Sequence, residues 1–293
     1  MIKQLKYILE FIPLKIFHLI CNLLSVSKAS TFGGSLVGFI GPFLKKSKIA
    51  KHQISEVFPE LSNQEVNTLV KSMWVNLGRV LGEYSHLKTL ANPDNNYIDL
   101  KDPHNFIPVV CEGKKTFFFG AHIANWEILQ SIMQYKCGKS FTGVYRAPNN
   151  PYSRDLLAKM RQTFETFETI PKSSKGSREL IKHMSSGKNI GLLVDQKYNQ
   201  GMNIPFFGKD AMTSTGFISL CQKYNYTLVS GYVVRKEGCH FEFNMGKPID
   251  LYNKDGSPRS EYEVMCEIHT ILEDWTKQNP EQWIWIHRRW GKI

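Results

Sequence analysis

The chain opens with a helical stripe of apolar residues. Leu5, Ile8, Leu9, Ile12, Ile16, Leu19, Ile20 and Leu23 recur at helix spacing, and Tyr7, Phe11, Leu14 and Phe17 widen the stripe. Glu10, Lys15 and His18 interrupt it. A charge at the bilayer centre costs roughly 2.5–3.5 kcal/mol, and no unbroken apolar run reaches the ~20 residues of a spanning helix. The pattern predicts an interfacial or steeply tilted anchor, with Lys3, Lys6 and Lys15 among anionic headgroups. A helix docked on the protein's own core satisfies the same stripe. Thr31 to Leu44 is Gly-rich and apolar, as a second membrane-contacting helix would be, and Lys45, Lys46, Lys48 and Lys51 follow at once. That cluster suits an anionic leaflet or a solvated helix face. The expected division is a helical membrane-associating segment over 1–50 and one larger domain over 51–293.

Beyond it, Ser62 is a plausible N-cap for an amphipathic helix reaching about Leu90, with Val66, Leu69, Val70, Met73, Leu77, Val80 and Leu81 on one face. Ala91 to His104 is rich in Asn, Asp and Pro and predicts a loop. The pattern then changes. Short apolar runs at Thr116–Phe119, Ser140–Tyr145 and Asn189–Val194 predict strands, and helical patterns follow the first two, with a further helix from Ser177 to Ser185. Leu228–Arg235 and His240–Met245 read as an antiparallel pair about Lys236-Glu-Gly238, and Ser260–Gln278 as a last amphipathic helix. The alternation predicts an α/β fold, a mostly parallel central sheet flanked by helices.

Polar residues gather where these strands end, the edge at which open α/β sheets bind ligands. After the Phe119 strand, Gly120 and Ala121 lead into a turn, with Asn125 a candidate helix N-cap and Glu127 in the first helical turn. His122 falls in the turn itself. On one continuous helix His122 and Glu127 would diverge by roughly 140°; a turn between them lets the carboxylate fold back and orient the imidazole as a base. A buried His beside a helix-starting Glu gives the same spacing. Arg146 follows the second strand, placed to stabilise an oxyanion, bind a phosphate or pair with a carboxylate. Asp195-Gln196 closes the third. Trp283, Trp285 and Trp290 crowd the tail beside His287, Arg288 and Arg289, a composition suited to an interface, a phosphate contact or closure of the core.

Charge narrows the partners. Lys and Arg number 37 against 26 acidic residues, a net +11 in 293 residues. Such a field attracts nucleic acid, anionic membrane, acidic proteins or acidic lipids. There is no RNA-recognition signature, and the aromatic residues lie mainly on apolar faces, so nucleic acid is not expected. The six cysteines are scattered, with no C-x-x-C pair and no zinc spacing; they read as small buried hydrophobes in a reducing compartment, with no metal site. The amino end shows no small-residue cleavage site.

Gly120-Ala-His-Ile-Ala-Asn-Trp-Glu127 resembles the His-x-x-x-x-Glu signature of the bacterial lipid A biosynthesis acyltransferases, the lauroyl/myristoyl transferase family. Phe58-Pro-Glu-Leu61, Val144-Tyr-Arg146, Asp195-Gln196 with Pro205-Phe-Phe-Gly208, and Pro280 to Trp290 fit it in order across nearly the whole chain. The resemblance implies a glycerolipid-acyltransferase-like fold. It also implies transfer of a lauroyl or myristoyl chain from acyl carrier protein to a hydroxyl of a Kdo-bearing lipid A precursor. Acyl-carrier protein is then a co-substrate and no cofactor is needed. The expected location is the cytoplasmic face of the inner membrane, among anionic lipids. His122 would be the general base and Glu127 its orienting partner. Arg146, with backbone amides near Asn125, would hold the oxyanion, and Asp195, Gln196, Phe206 and Phe207 would line the site. A lysophospholipid or mannoside-type acyltransferase with the same His/acid pair is the enzyme alternative. A non-catalytic basic lipid-binding protein is the alternative of another class.

Overall fold

The computed structural model describes residues 2–138, 141–145, 148–161, 168–171 and 173–291. Five helices come first: α1 (Ile2–Leu23), α2 (Val26–Ile40), α3 (Lys45–Val57), α4 (Asn63–Glu83) and α5 (Leu87–Ala91). Then follow β1 (Ile98–Lys101), α6 (Phe106–Cys111), β2 (Thr116–Gly120), α7 (Leu129–Cys137), β3 (Phe141–Tyr145), α8 (Pro151–Arg161), β4 (Thr169–Pro171), α9 (Ser174–Ser185) and β5 (Asn189–Leu193). The chain closes with β6 (Met202–Phe206), β7 (Lys209–Thr213), α10 (Phe217–Tyr224), β8 (Thr227–Glu237), β9 (His240–Ile249) and α11 (Glu261–Gln278).

The main sheet has the order β1-β9-β8-β2-β5-β3-β4. Every neighbouring pair in it is parallel except β8 with β9. The α/β class with a mostly parallel sheet is therefore as expected. β2 lies at its centre and is buried on both faces, which is why Thr116–Gly120 is a continuous apolar run rather than an alternating one. Phe117 and Phe119 pack on one face against Phe217 and Trp275. Phe118 points to the other, 4.7 Å from Phe141. Ser62 and Ser260 each close a capping box, with Glu65 and Glu263, that fixes the start of α4 and α11.

Two local expectations change, and a hairpin is added. The helix read from Ser62 to Leu90 breaks at a 3₁₀ turn over Tyr84–His86. The stretch read as a loop over Ala91–His104 contains β1, an edge strand of four residues too short to show its alternation. The polar stretch 197–208 contains β6, which pairs with β7 as a separate antiparallel hairpin.

The glycines of α2 serve packing. A Cβ at Gly33 would lie 2.2 Å from the Gly78 carbonyl oxygen, so α2 and α4 touch backbone to backbone there. The face of α2 that carries Ala29, Ser30, Gly33, Gly34 and Gly38 is buried, whereas Phe39 is 73% exposed. Leu9 and Leu23 of α1 are exposed as well. Among the described residues no helix is long and apolar enough to cross a membrane.

The reading of all six cysteines as reduced is corrected. Cys111 and Cys137 form a disulfide, because α6 and α7 end side by side and bring residues 26 apart in sequence together. Cys21, Cys221, Cys239 and Cys266 are free.

Candidate active site

His122 sits in the turn after β2, and this turn is held from outside. Ala124 has φ +48°, a left-handed conformation unusual for a residue with a Cβ. Its amide donates to the Gln282 carbonyl at 3.0 Å, and the Ile284 amide donates to the His122 carbonyl at 3.1 Å. Ile123 bridges Trp283 across the same short antiparallel contact. The segment after α11 thus straps the turn in place and offsets its strain.

The imidazole is oriented by Asp195, beyond the end of β5, the strand beside β2. Asp195 Oδ1 accepts from His122 Nδ1 at 2.8 Å; Oδ2 accepts from the His122 amide at 3.0 Å and from Trp283 Nε1 at 2.8 Å. Burial pushes the Asp195 carboxyl up, but the His122 ring, its amide and the Trp283 indole together hold it down at about 2. With its Nδ1 proton committed to a carboxylate, His122 presents Nε2 as a lone pair. The Gln196 side-chain amide donates to that atom at 3.2 Å.

Glu127 is elsewhere. The fold-back onto the imidazole expected from the spacing is not what its oxygens do. They accept two bonds from Arg161, at 2.6 and 2.7 Å, one from Tyr84 at 2.5 Å and one from Trp126 Nε1 at 2.9 Å. Burial pushes the Glu127 carboxyl up, yet the Arg161 guanidinium and the other donors hold it below the usual range. Tyr84 is raised well above its ordinary value by burial and by the adjacent carboxylate. The physical reason is geometric: residues 126–128 form a 3₁₀ turn that carries Glu127 towards α4 and α8 rather than back over the ring.

Both groups line one cavity of about 430 Å³. At its polar end lie His122, Trp126, Glu127, Arg161, Gln196 and His287. From there it runs along the sheet face between Phe118, Leu129, Met133, Phe141 and Phe243. Gly143, Gly191 and Gly231, on three strands, line this part. Gly191 is in register with Phe118 on one side and Gly143 on the other, so all three share a face. A Cβ at Gly191 would meet nothing within 4 Å. The absence of side chains there leaves a largely apolar trough along the sheet face, with Gln130, Tyr145 and Thr169 also among its lining.

Asn125, Phe206 and Phe207 do not line this cavity. Asn125 is fully buried and gives its side-chain amide to Glu83 at 2.8 Å; it makes no side-chain cap and does not line the cavity. Glu83 also takes Arg235 at 2.5 and 2.9 Å and Ser30 at 2.6 Å, a buried cluster behind the His122 turn. Phe206 and Phe207 pack with Trp290, and Phe206 also with Trp283 and His269, in the core instead of lining the pocket. Arg146 lies outside the described residues. Sequence reasoning missed Tyr84, Arg161 and Glu83, which sit on helices with no local signal of chemistry. Trp283 and His287 belong to the aromatic and basic tail, whose composition did mark it.

The family of bacterial lipid A biosynthesis acyltransferases matches residues 2–292. The lipid A biosynthesis palmitoleoyltransferase of Escherichia coli is 22% identical over 266 residues, 88% of this chain and 83% of the relative. The lauroyltransferase of lipid A biosynthesis from the same organism is 23% identical over 253 residues, 84% of this chain and 79% of the relative. A match that runs from the first helix to the last turn places the chain in the bacterial lipid A biosynthesis acyltransferase family.

Proposed function

We propose that the protein transfers a fatty acyl chain from acyl carrier protein to a hydroxyl of a Kdo-bearing lipid A precursor. The observation that carries this reading is the pairing of His122 with buried Asp195 at the mouth of an apolar trough. His122 Nε2 takes the proton of the acceptor hydroxyl, and Asp195 stabilises the imidazolium that results. The alkoxide oxygen attacks the thioester carbonyl carbon, whose π pair moves to oxygen. The tetrahedral intermediate then expels the thiolate, which recovers the proton from His122. No covalent acyl-enzyme is required. The acyl tail lies in the trough between Phe118, Met133 and Phe243, where burial of each CH₂ is worth about 0.8 kcal/mol.

Glu127 and Arg161 form the opposite wall of the mouth. Their bidentate pair fixes the approach of the acceptor and keeps a cation beside its anionic groups. The net charge of +11 attracts both an acidic carrier protein and a phosphorylated lipid. Leu9, Leu23, Phe39 and Phe43 are exposed apolar residues, the last two neighbours in space, and exposed Lys45, Lys46, Lys48 and Lys51 follow them in the chain. We assign these residues to interfacial contact with the cytoplasmic face of the inner membrane, where the acceptor lipid resides.

The test is acyl transfer by purified protein from lauroyl-, myristoyl- and longer acyl-carrier proteins to the precursor. Turnover that depends on His122 supports the reading. Turnover on a lysophospholipid alone would replace the acceptor, and lipid affinity without any turnover would replace the enzyme with a binder.

A further inference from the structure

A second histidine faces the same cavity. His287 lines it together with His122, and the consecutive residues Asp195, Gln196 and Lys197, just beyond β5, touch the two rings in sequence order. Asp195 accepts from His122 Nδ1, the Gln196 amide donates to His122 Nε2 at 3.2 Å, and the Lys197 backbone amide donates to His287 Nε2 at 3.1 Å. Both rings are therefore held as the Nδ1–H tautomer, but against different partners. A backbone N–H can only donate, so His287 Nε2 must be the acceptor and the ring proton must sit on Nδ1. That Nδ1–H has no partner among the described residues.

The ring is also held in place and kept neutral. Gln53 clamps the backbone on both sides of it: its side-chain amide donates to the His287 carbonyl at 2.8 Å and the Trp285 carbonyl at 2.6 Å, and its oxygen accepts from the Arg289 amide at 2.7 Å. Burial pushes the His287 imidazole down to about 4; nearby Asp195 works the other way, and the His122, Arg289 and Lys46 charges add to the lowering. At neutral pH His287 is an uncharged, fixed hydrogen-bond donor. It differs from His122, whose proton is given to a carboxylate and whose Nε2 accepts from Gln196.

We propose that His287 Nδ1–H donates to the thioester carbonyl oxygen of the acyl donor and stabilises the oxyanion as it forms. This rests on the acyl-transfer reading above. In the step, the π pair of the carbonyl moves to oxygen as the acceptor alkoxide adds to carbon. His287 keeps its proton throughout. When the C–S bond breaks, that pair returns to re-form the carbonyl and sulfur leaves as thiolate, reprotonated by His122. A neutral donor suits this task because its hydrogen bond strengthens with the developing charge and leaves the resting thioester unprotonated.

Two substitutions separate this role from a purely structural clasp. His287→Asn places an amide N–H near the Nδ1 position and loses the clasp to Lys197. His287→Gln can accept from the Lys197 amide but puts no donor at Nδ1. Steady-state transfer from a lauroyl-carrier protein to the Kdo-bearing precursor is measured for both and for wild type. The expected result is a kcat about 10²-fold lower for His287→Gln, with KM nearly unchanged and His287→Asn keeping much of the rate. The reverse order, or equal losses in both, overturns the proposal. Histidine ¹⁵N NMR of the intact wild-type protein between pH 6 and 8 checks the tautomer without substrate. Protonated Nδ1 and unprotonated Nε2 at His287 are expected; an imidazolium or an Nε2–H form there overturns it. Wild type that shows the expected tautomer yet transfers no acyl group to any acceptor fails the acyl-transfer reading instead.

Discussion

Two buried carboxylates flank the turn that carries His122, and they are built for different work. Asp195 accepts three hydrogen bonds, one from an imidazole that can gain and lose a proton at its far nitrogen. Glu127 accepts four, two of them from a guanidinium that keeps its proton. Burial alone would raise both pKa values, and in both the donors reverse that effect. The first carboxylate orients an imidazole. The second locks a wall. The lesson is that a short spacing on the chain, five residues from His122 to Glu127, need not name the chemical pair, whereas a distance of 73 residues does not prevent one.

That contrast orders the expected effects. His122→Ala removes the base and lowers kcat by up to about 10⁴-fold, measured with the carrier-protein assay. Asp195→Asn leaves the ring in place but no longer fixes its tautomer or stabilises its cation, and a kcat loss of roughly 10³-fold is expected. Glu127→Gln behaves differently. It removes the carboxylate charge that faces Arg161, so the principal effect is on stability, about 3–5 kcal/mol for a broken buried pair, read from chemical denaturation. Its loss of kcat is expected to be much smaller, with the pH dependence of the rate unchanged. A Glu127→Gln protein as stable as wild type but as inactive as Asp195→Asn would abolish the distinction.

The trough gives a smaller effect. Gly191→Leu fills open space on the sheet face, and the preference among acyl donors should move towards shorter chains by about 10-fold, since each lost CH₂ contact is worth about 0.8 kcal/mol. An unchanged chain-length profile would place the acyl tail elsewhere.

A last effect concerns acid stability. His269 is buried beside Arg289, with Nδ1 donating to the Pro205 carbonyl at 2.7 Å and Nε2 accepting from Arg289 at 3.0 Å. Burial first, and then the guanidinium, push it down from 6.5 to about 3. Its folded value lies below its unfolded value, so the unfolded chain takes up the proton first as pH falls. Its contribution to stability is full above about pH 6.5 and declines below that by up to ~1.4 kcal/mol per pH unit until pH 3. His269→Gln should flatten that slope in denaturation curves between pH 6.5 and 4; a slope identical to wild type would mean that His269 is not the group being protonated.

Much of this was legible in the chain. The strand-end positions of His122 and Asp195 followed from apolar runs that stop at small or polar residues, because a buried parallel strand announces itself as such a run. The capping boxes at Ser62 and Ser260 likewise depend on neighbours in sequence. What stayed hidden depends on long-range assembly. Asp195 reaches His122 only because β5 pairs with β2, and Arg161 reaches Glu127 only because α8 packs beside the Tyr84 turn. The Gly-rich run of α2 suits bilayer contact and close backbone packing alike, because both favour small residues, and its glycine face packs on α4. Phe206 and Phe207 looked like pocket walls for a similar reason: the core and an acyl site select the same side chains.

The most direct measurement is the pH-dependent kcat/KM of acyl transfer to the Kdo-bearing precursor for wild type, Asp195→Asn and Glu127→Gln side by side, each with its unfolding curve. Asp195→Asn should fold and lose at least ~10²-fold in rate across the range, with Glu127→Gln less stable but retaining most of the rate of its folded fraction. A fully active Asp195→Asn enzyme would contradict the assignment of Asp195 as the partner through which His122 works.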